Sequence, residues 1–208
     1  MLIIDIQYFA NIIYYKKLFE NKYAILDKYE NFRKMSFHNR CVILGANGPL
    51  TLSVPVEGGR DQKRALHEVR IANKENWQRR HWRSIVSAYN RSPWFEHYKD
   101  SLSVLYERPY ELLADWNLAC LEWSLACLKA NLSWELSKTY QQVYTEPGVA
   151  DLRGKITPRS YPAVAGESSA FTYPQVFSER QGFVPNLSVL DILFCEGGKE
   201  AFFLLKKI

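Results

Sequence analysis

The densest set of side chains that could do chemistry lies between positions 30 and 40, just before an apolar run. It contains a carboxylate, an imidazole, an amide and a guanidinium, from Glu30, His38, Asn39 and Arg40. An arginine can hold a phosphate or carboxylate through two parallel hydrogen bonds, and an amide can orient a sugar hydroxyl. We therefore predict that Asn39 and Arg40 bind substrate and that Glu30 or His38 acts as general base. The alternative is an ion-paired loop that only fixes the neighbouring hairpin.

Two other segments offer polar groups to a substrate. Gln7 follows the first apolar run, where open α/β sheets commonly bind ligands and where free helix amides favour anions. Alternatively, Gln7 caps the helix. Arg153, Lys155 and Arg159 surround a glycine and a proline, which predicts a mobile cationic segment that could close over a diphosphate. A solvated loop fits the same composition, but we predict substrate contacts for all four residues.

Asp191 and Cys41 are candidates for acid and nucleophile chemistry. Asp191, in NLSVLD, could be a buried catalytic acid, although its spacing from Ser188 also fits a capping pair at the start of a helix. A cation next to Cys41 would lower the pKa of its thiol and favour attack on an acyl group. A cysteine that leads into a β-like run is more often a core residue, so only Asp191 is kept as a catalytic candidate.

The motifs that mark the common catalytic classes are absent from the sequence. It contains no Walker loop, no GxGxxG, no GxSxG and no HExxH. The histidines His38, His81 and His97 do not have the spacing of metal ligands, so no metal site is predicted. No cofactor is evident either.

Length and composition place the chain among ordinary globular proteins. Its 208 residues are 47% hydrophobic and 24% charged, which predicts one domain over 1–208. The net charge of +5 is spread along the chain, so no nucleic-acid partner is expected. There is no secretory signal and no apolar run of ~18 residues, so we expect a cytoplasmic chain without a membrane span. The four cysteines lack CxxC spacing and are expected to stay unpaired.

Hydrophobic periodicity predicts an α/β fold, a mixed β-sheet packed by several helices. Strands are predicted at 2–6, 23–26, 41–45, 50–56 and 134–137, and helices at 9–19, 73–90, 94–105, 109–130 and after 186. Asn47-Gly48 predicts a hairpin between the third and fourth strands. Residues 145–182 are rich in glycine, proline and serine and predict a mobile loop.

Four longer segments carry a family resemblance. They are IQYFANIIYY, ENFRKMSFHNRCVILGANGPLTLSVPV, WQRRHWRSIVSAYNRSPWFEHY and YPQVFSERQGFVPNLSVLDILFCEGG. Together they resemble the WbqC family, especially the branch found in Bacteroidetes, over nearly the whole chain. Many relatives read Gln-Pro-Tyr-Phe-Phe-Pro in the opening loop, where this chain reads QYFAN. The resemblance implies a role in glycan assembly or decoration, since members occur in O-antigen and other surface-polysaccharide gene clusters, but it names no reaction.

Three hypotheses for function follow. The first is a transferase that uses an activated sugar or acyl donor in lipopolysaccharide O-antigen biosynthesis, with Arg40 and the segment 153–159 neutralising the charge of the donor. The second is a noncatalytic accessory protein that binds carbohydrate or nucleotide sugar, with the 14% of aromatic residues as stacking platforms. The third is a scaffold for enzymes of the glycan pathway. Binding without catalysis is favoured if Glu30, His38 and Asp191 lie away from the cleft that Arg40 lines.

Overall fold

The strands form a parallel sheet and a separate hairpin in the computed structural model, which describes residues 1–58, 63–158 and 172–207. In chain order they are β1 (Leu2–Asp5), β2 (Tyr23–Asp27), β3 (Arg40–Gly45), β4 (Gly48–Ser53), β5 (Ser133–Leu136) and β6 (Ala150–Asp151). The sheet has the order β5-β2-β1-β6 with every pair parallel, whereas β3 and β4 pair antiparallel with each other. The predicted α/β fold with a hairpin is therefore confirmed.

The hairpin lies where Asn47-Gly48 predicts it. Gly45 pairs with Gly48, so Ala46 and Asn47 form the two-residue turn. Gly48 opens β4 with a φ of 117°, a backbone conformation that strongly favours glycine. This turn fixes the register that brings Arg40 opposite Ser53 at the far end of the hairpin.

Helices connect the parallel strands and cover the sheet. They are α1 (Ile12–Phe19), α2 (Trp77–Tyr89), α3 (Phe95–Glu107), α4 (Leu113–Leu128), α5 (Ser178–Gln181) and α6 (Val189–Lys207), with a 3-10 turn at Leu66–Glu68. The first helix begins three residues later than predicted, because Phe9 has a φ of 34° and the side chain of Asn11 caps the helix by accepting from the Tyr14 amide at 3.0 Å. None of these helices, in the part of the chain described, is long and apolar enough to cross a membrane.

The core is continuous from the sheet to the helices. The helix predicted to be central, α4, buries Leu113, Trp116, Leu121 and Leu128, and it packs on α6. A non-helical Gly197, with φ of 75°, interrupts α6 at the predicted break. The four cysteines are free, and burial raises the pKa of the Cys41 thiol, which leaves it a core residue.

The described parts of the segment 145–182 contain two short regular elements, whereas its composition predicts a loop. It contributes β6 to the edge of the sheet and α5 before the last helix. The amide of Ala150 donates to the carbonyl of Met1 at 2.9 Å, and that of Leu152 to the carbonyl of Ile3 at 2.8 Å. Residues 145–158 therefore complete the sheet, because their backbone supplies its fourth strand.

Candidate functional site

Three of the four parallel strands end in an aspartate. Asp5, Asp27 and Asp151 are the last residues of β1, β2 and β6, and Asp5 is the register partner of Asp27. The carboxyl ends of parallel strands meet at one edge of a sheet, where open α/β folds bind ligands. We refer to this region as the carboxyl-edge cluster, which consists of Asp5, Gln7, Asp27, Glu30, Arg33, His38, Asp151 and Arg153.

The inner part of the carboxyl-edge cluster centres on the buried carboxylate of Asp5. Its Oδ2 accepts from His38 Nε2 at 3.1 Å and from Gln7 Nε2 at 3.0 Å, while its Oδ1 accepts from the Gly154 amide at 3.0 Å. Burial works against ionisation of Asp5, but the hydrogen bond and charge of His38, with the donors of Gln7 and Gly154, outweigh it and lower the pKa. Asp5 is therefore a stable anion inside the protein.

Both nitrogens of His38 are engaged by the protein. The Arg33 amide lies 3.4 Å from Nδ1, and Nε2 donates to Asp5 Oδ2 at 3.1 Å. The ring is fully buried, and Gln7 is 2% exposed. Gln7 Nε2 also donates to the Ile156 carbonyl at 3.2 Å, whereas its buried Oε1 has no hydrogen-bond donor among the described residues. The ring of His38 thus anchors the backbone that carries Asn39 and Arg40.

Arg153 joins the strand ends β2 and β6. Its Nη1 donates to Asp27 Oδ2 at 2.8 Å, and its Nη2 and Nε donate to the two oxygens of Asp151 at 2.7 and 3.0 Å. The remaining N–H groups donate to the carbonyls of Gln141 and Gln142. All five donors of the guanidinium are used, and its hydrogen bonds to Asp151 are the main cause that raises the Arg153 pKa. Arg153 is therefore a buried cross-link in this structure.

Glu30 and Arg33 form the outer part of the same cluster. Glu30 Oε1 accepts from Arg33 Nη2 at 2.6 Å, and Glu30 Oε2 lies 3.9 Å from Arg153 Nη1. The Arg33 side chain is 48% exposed, and its guanidinium lies directly over Gly154, which leaves no room for a Cβ at that position. Arg33 thus covers the carboxyl edge from the solvent side.

A groove beside the cluster offers the accessible polar groups. We refer to it as the Arg40 groove: it has a volume of about 350 Å³, and its polar lining consists of Lys34, Asn39, Arg40, Ser53 and Glu75. Apolar side chains, among them Phe32, Val54 and Pro55, form the rest of its wall. This combination of an apolar wall with a few converging polar groups is typical of small-molecule sites.

Arg40 is the least satisfied cation of this groove. Its Nη1 contacts Met35 Sδ at 3.0 Å, its buried Nε has no acceptor, and no carboxylate of the described residues pairs with it. Asn39 Nδ2 donates to the Val54 carbonyl at 2.8 Å, which ties the groove wall to β4 and leaves Oδ1 without a partner in the described parts of the chain. Glu75 Oε2 lies 2.9 Å from Arg80 Nη2, and both side chains are exposed. The groove can therefore receive an anion at Arg40 and a hydroxyl at Asn39.

The structure divides the residues predicted from the sequence into three places. Asn39 and Arg40 line the groove, while Glu30, His38, Gln7 and Arg153 belong to the carboxyl-edge cluster. Lys155 is exposed next to this cluster. Burial works against ionisation of Asp151, but the hydrogen bonds and charge of Arg153, with a smaller contribution from the charge of Lys155, outweigh it and lower the Asp151 pKa. Arg159 lies outside the described residues.

Asp191 is the third place, and it contacts neither the groove nor the cluster. Its buried carboxylate accepts from Tyr89 Oη at 2.7 Å, Tyr173 Oη at 2.6 Å and Gln175 Nε2 at 3.0 Å. Burial raises the Asp191 pKa, and these three hydrogen bonds oppose the rise without cancelling it. Ser188 Oγ donates to the Phe9 carbonyl and accepts from the Leu190 amide, which caps the helix as predicted, but the Asp191 carboxylate is used by other side chains and does not complete the capping pair.

Asp5, Asp27, Asp151 and Glu75 were not among the residues selected from the sequence. The signal for the first three was present, because each aspartate ends a short apolar segment, in LIID, AILD and VAD. Glu75 precedes α2 and has no comparable signal. It enters the groove only because the loop before α2 packs against the hairpin, where the Ala72 amide donates to the Pro55 carbonyl at 3.0 Å.

Comparison with known proteins identifies a family. A model of the WbqC-like protein family matches residues 7–167, a range that includes the Arg40 groove and all of the carboxyl-edge cluster except Asp5, but not Asp191. No curated protein and no solved structure matches the chain.

Proposed function

Since the chain belongs to the WbqC-like protein family, we propose that it is a transferase that uses an activated sugar or acyl donor in the biosynthesis of bacterial surface polysaccharide. One observation carries the proposal: the guanidinium of Arg40 lies in an accessible groove and has no carboxylate partner in the described chain. The polysaccharide context comes from the gene clusters that the family resemblance implies, and the reaction class comes from the charge and shape of the groove.

Arg40 binds the anionic part of the donor. Nucleotide sugars and coenzyme A thioesters both carry phosphates, which a guanidinium holds through paired hydrogen bonds. Lys34 adds a second positive charge to the groove, and Asn39 Oδ1 can accept from a hydroxyl of the transferred group. The volume of about 350 Å³ holds the phosphates and the adjoining group rather than a whole nucleotide sugar, so the remainder of the donor extends into solvent.

Transfer requires a base, and Glu75 is the carboxylate that lines the groove. It takes the proton of the acceptor hydroxyl or amine while the acceptor forms its new bond to the donor carbon. The bond from that carbon to the leaving phosphate or thiolate breaks with its electron pair, and Arg40 offsets the charge that develops. Glu30 and His38 act behind the groove as positioning residues, because their polar atoms contact protein groups. A catalytic Asp191 stays a prediction without a contact to this groove.

A noncatalytic binding protein for nucleotide sugars or carbohydrate is the second candidate. It is favoured by the placement of Glu30, His38 and Asp191, which do not line the groove with Arg40. Both candidates require the groove to bind the same ligands. They differ only in whether Glu75 takes a proton during turnover.

The test is a calorimetric and thermal-shift screen of the full chain against nucleotide sugars and acyl coenzyme A compounds. A ligand at ~100 times its dissociation constant adds ~2.7 kcal/mol to the free energy of unfolding. Arg40→Ala is expected to weaken binding about tenfold or more, since it removes a charged hydrogen bond of ~1.5 to 3 kcal/mol. Arg83→Ala removes an exposed arginine outside the groove and is expected to leave binding unchanged.

Each ligand that binds is then incubated with candidate acceptors. Transferase activity that falls in Glu75→Gln, with the donor dissociation constant unchanged, supports the proposal. Binding without turnover for any acceptor supports the accessory protein instead. Binding that survives Arg40→Ala, or no binding by any compound, contradicts both candidates.

A further inference from the structure

A second cavity lies at the opposite end of α2 from the Arg40 groove. It has a volume of about 410 Å³, and we refer to it as the Arg91 pocket, lined by Arg91, Pro93, Gln175, Phe177, Arg180 and Cys195. Glu75 of the groove precedes the first residue of α2, whereas Arg91 follows the last one. Since 13 helical residues span ~20 Å, the two cavities are separate sites.

The floor of the Arg91 pocket is held rigidly from inside the protein. Gln175 Nε2 donates to Asp191 Oδ2 at 3.0 Å and to the Val184 carbonyl at 2.9 Å, and its Oε1 accepts from the Val184 amide at 2.9 Å. Asp191 is in turn fixed by the hydroxyls of Tyr89 and Tyr173. Both ends of the Gln175 side-chain amide are hydrogen-bonded to protein groups, so this residue shapes the cavity and does not need a polar partner from a ligand.

The wall of the Arg91 pocket is apolar. Pro93 comes from the turn between α2 and α3, Phe177 from the residue before α5, and Cys195 from α6. Burial raises the pKa of the Cys195 thiol, so this side chain stays protonated and behaves as part of the apolar wall. Such a surface favours an alkyl or aryl group.

Two cations stand at the rim of this apolar cavity. Arg91 and Arg180 are exposed, and neither guanidinium forms an ion pair or a side-chain hydrogen bond within the described residues. They come from different segments of the chain, one after α2 and one within α5, and converge on the same opening. By contrast, the exposed Arg70 and Arg80 are each paired with glutamate. Two guanidinium groups beside an apolar wall suit an oxyanion attached to an apolar tail.

We propose that the Arg91 pocket binds a small amphipathic anion, whose carboxylate or phosphate head lies between Arg91 and Arg180 and whose alkyl chain packs on Phe177 and Cys195. The volume lies within the range of ~300 to 1,000 Å³ that is usual for small-molecule sites. The pocket is lined by none of the residues that line the Arg40 groove, and its occupant does not depend on the identity of the transferase donor.

The test is isothermal titration of the full chain with three ten-carbon probes below their micellar concentrations. Decanoate and decyl phosphate share the chain and differ in the oxyanion, and 1-decanol lacks the charge. We expect saturable binding of at least one anion and much weaker binding of the alcohol. The double variant Arg91→Gln/Arg180→Gln is expected to weaken anion binding by about tenfold or more, since charged hydrogen bonds are lost. The stronger of the two anions identifies the head group.

Two matched variants make the result specific. Arg83→Gln removes one positive charge at an exposed position of α2 that does not line the pocket, and it should leave the dissociation constant unchanged. Arg40→Ala should also leave it unchanged, because the groove is a separate site. The proposal is overturned if neither anion binds saturably, if decanol binds as well as the anions, if Arg40→Ala abolishes binding, or if the double variant binds like Arg83→Gln. Saturable anion binding at the Arg91 pocket, together with no binding of any donor at the Arg40 groove, would contradict the proposed function and leave this inference standing.

Discussion

Replacing Arg153 with methionine tests whether the carboxyl-edge cluster is held by buried charge. The guanidinium is the charged partner of Asp27, whose side chain is 0% exposed, and it uses all five of its donors on protein groups. Removing one partner of a buried ion pair costs ~3 to 5 kcal/mol, because the other charge stays buried without compensation. A domain of this kind is stable by ~5 to 15 kcal/mol, so Arg153→Met should consume a large part of the total.

The assay is urea denaturation followed by circular dichroism, with Arg70→Met as the matched control. Arg70 also contacts two carboxylates, those of Glu57 and Glu111, but its side chain is 50% exposed, and exposed pairs contribute ~0 to 1 kcal/mol. At a slope of ~2 kcal/mol per molar urea, the midpoint should fall by ~1.5 to 2.5 M for Arg153→Met and by less than ~0.5 M for the control.

A double variant tells the lost charge partner apart from lost packing. Asp27→Asn removes the uncompensated charge while its amide oxygen still accepts from Ser137 Oγ, which lies 2.8 Å from Asp27 Oδ1. Added to Arg153→Met, it should therefore restore part of the lost stability. Equal urea midpoints for Arg153→Met and Arg70→Met would refute the argument from buried charge. So would a double variant whose loss of stability equals the sum of the losses in the two single variants.

Two further predictions concern His81 and Gly154. Burial lowers the pKa of His81 to about 4, below the ordinary value of ~6.5, so the unfolded chain binds more protons than the folded chain between these pH values. The free energy of unfolding should therefore fall by ~2 kcal/mol from pH 7.5 to 5 because of this residue. Denaturation curves of His81→Gln should lack this part of the pH dependence. Gly154→Ala should cost more than Gly148→Ala, since both glycines have positive φ but only Gly154 lies under the guanidinium of Arg33. The difference in melting temperature between the two alanine variants should disappear when both also carry Arg33→Ala. A difference that persists would contradict the steric explanation.

Much of the fold could be predicted because local patterns dominate it. The hairpin follows from Asn47-Gly48, and α2 follows from apolar residues that recur at helical spacing. The observed helix and strand boundaries differ from the predicted ones where tertiary contacts determine them. The first helix waits for the cap at Asn11, and the strand β6 has only two residues, which pair with β1 although their composition resembles a loop.

The site was predicted in part because its charged residues are adjacent in the chain. One polar segment contains Glu30, His38, Asn39 and Arg40. In the structure the side chains of the first two lie in the carboxyl-edge cluster, and those of the last two line the groove. No sequence pattern distinguishes these directions, since they depend on Asp5 and on residues more than a hundred positions away. Arg153 illustrates this most clearly. The composition of the segment around it predicts a mobile cationic loop, whereas its partners make it the most buried arginine of the described chain.

The two regions are connected through the backbone at residues 38 to 40. The ring of His38 is fixed by Asp5, and the backbone carbonyl of His38 accepts from Asn117 Nδ2 at 2.7 Å. The backbone carbonyl of Asn39 accepts from the Val54 amide, and the side-chain amide of Asn39 donates to the Val54 carbonyl. The groove wall is therefore anchored on one side by the carboxyl edge of the sheet and on the other by the hairpin. A site built this way can hold the Arg40 guanidinium in place before a ligand arrives, which reduces the entropy lost on binding. In the proposed function, the buried charges of the cluster hold the groove in shape, and the residues that the groove exposes contact the ligand.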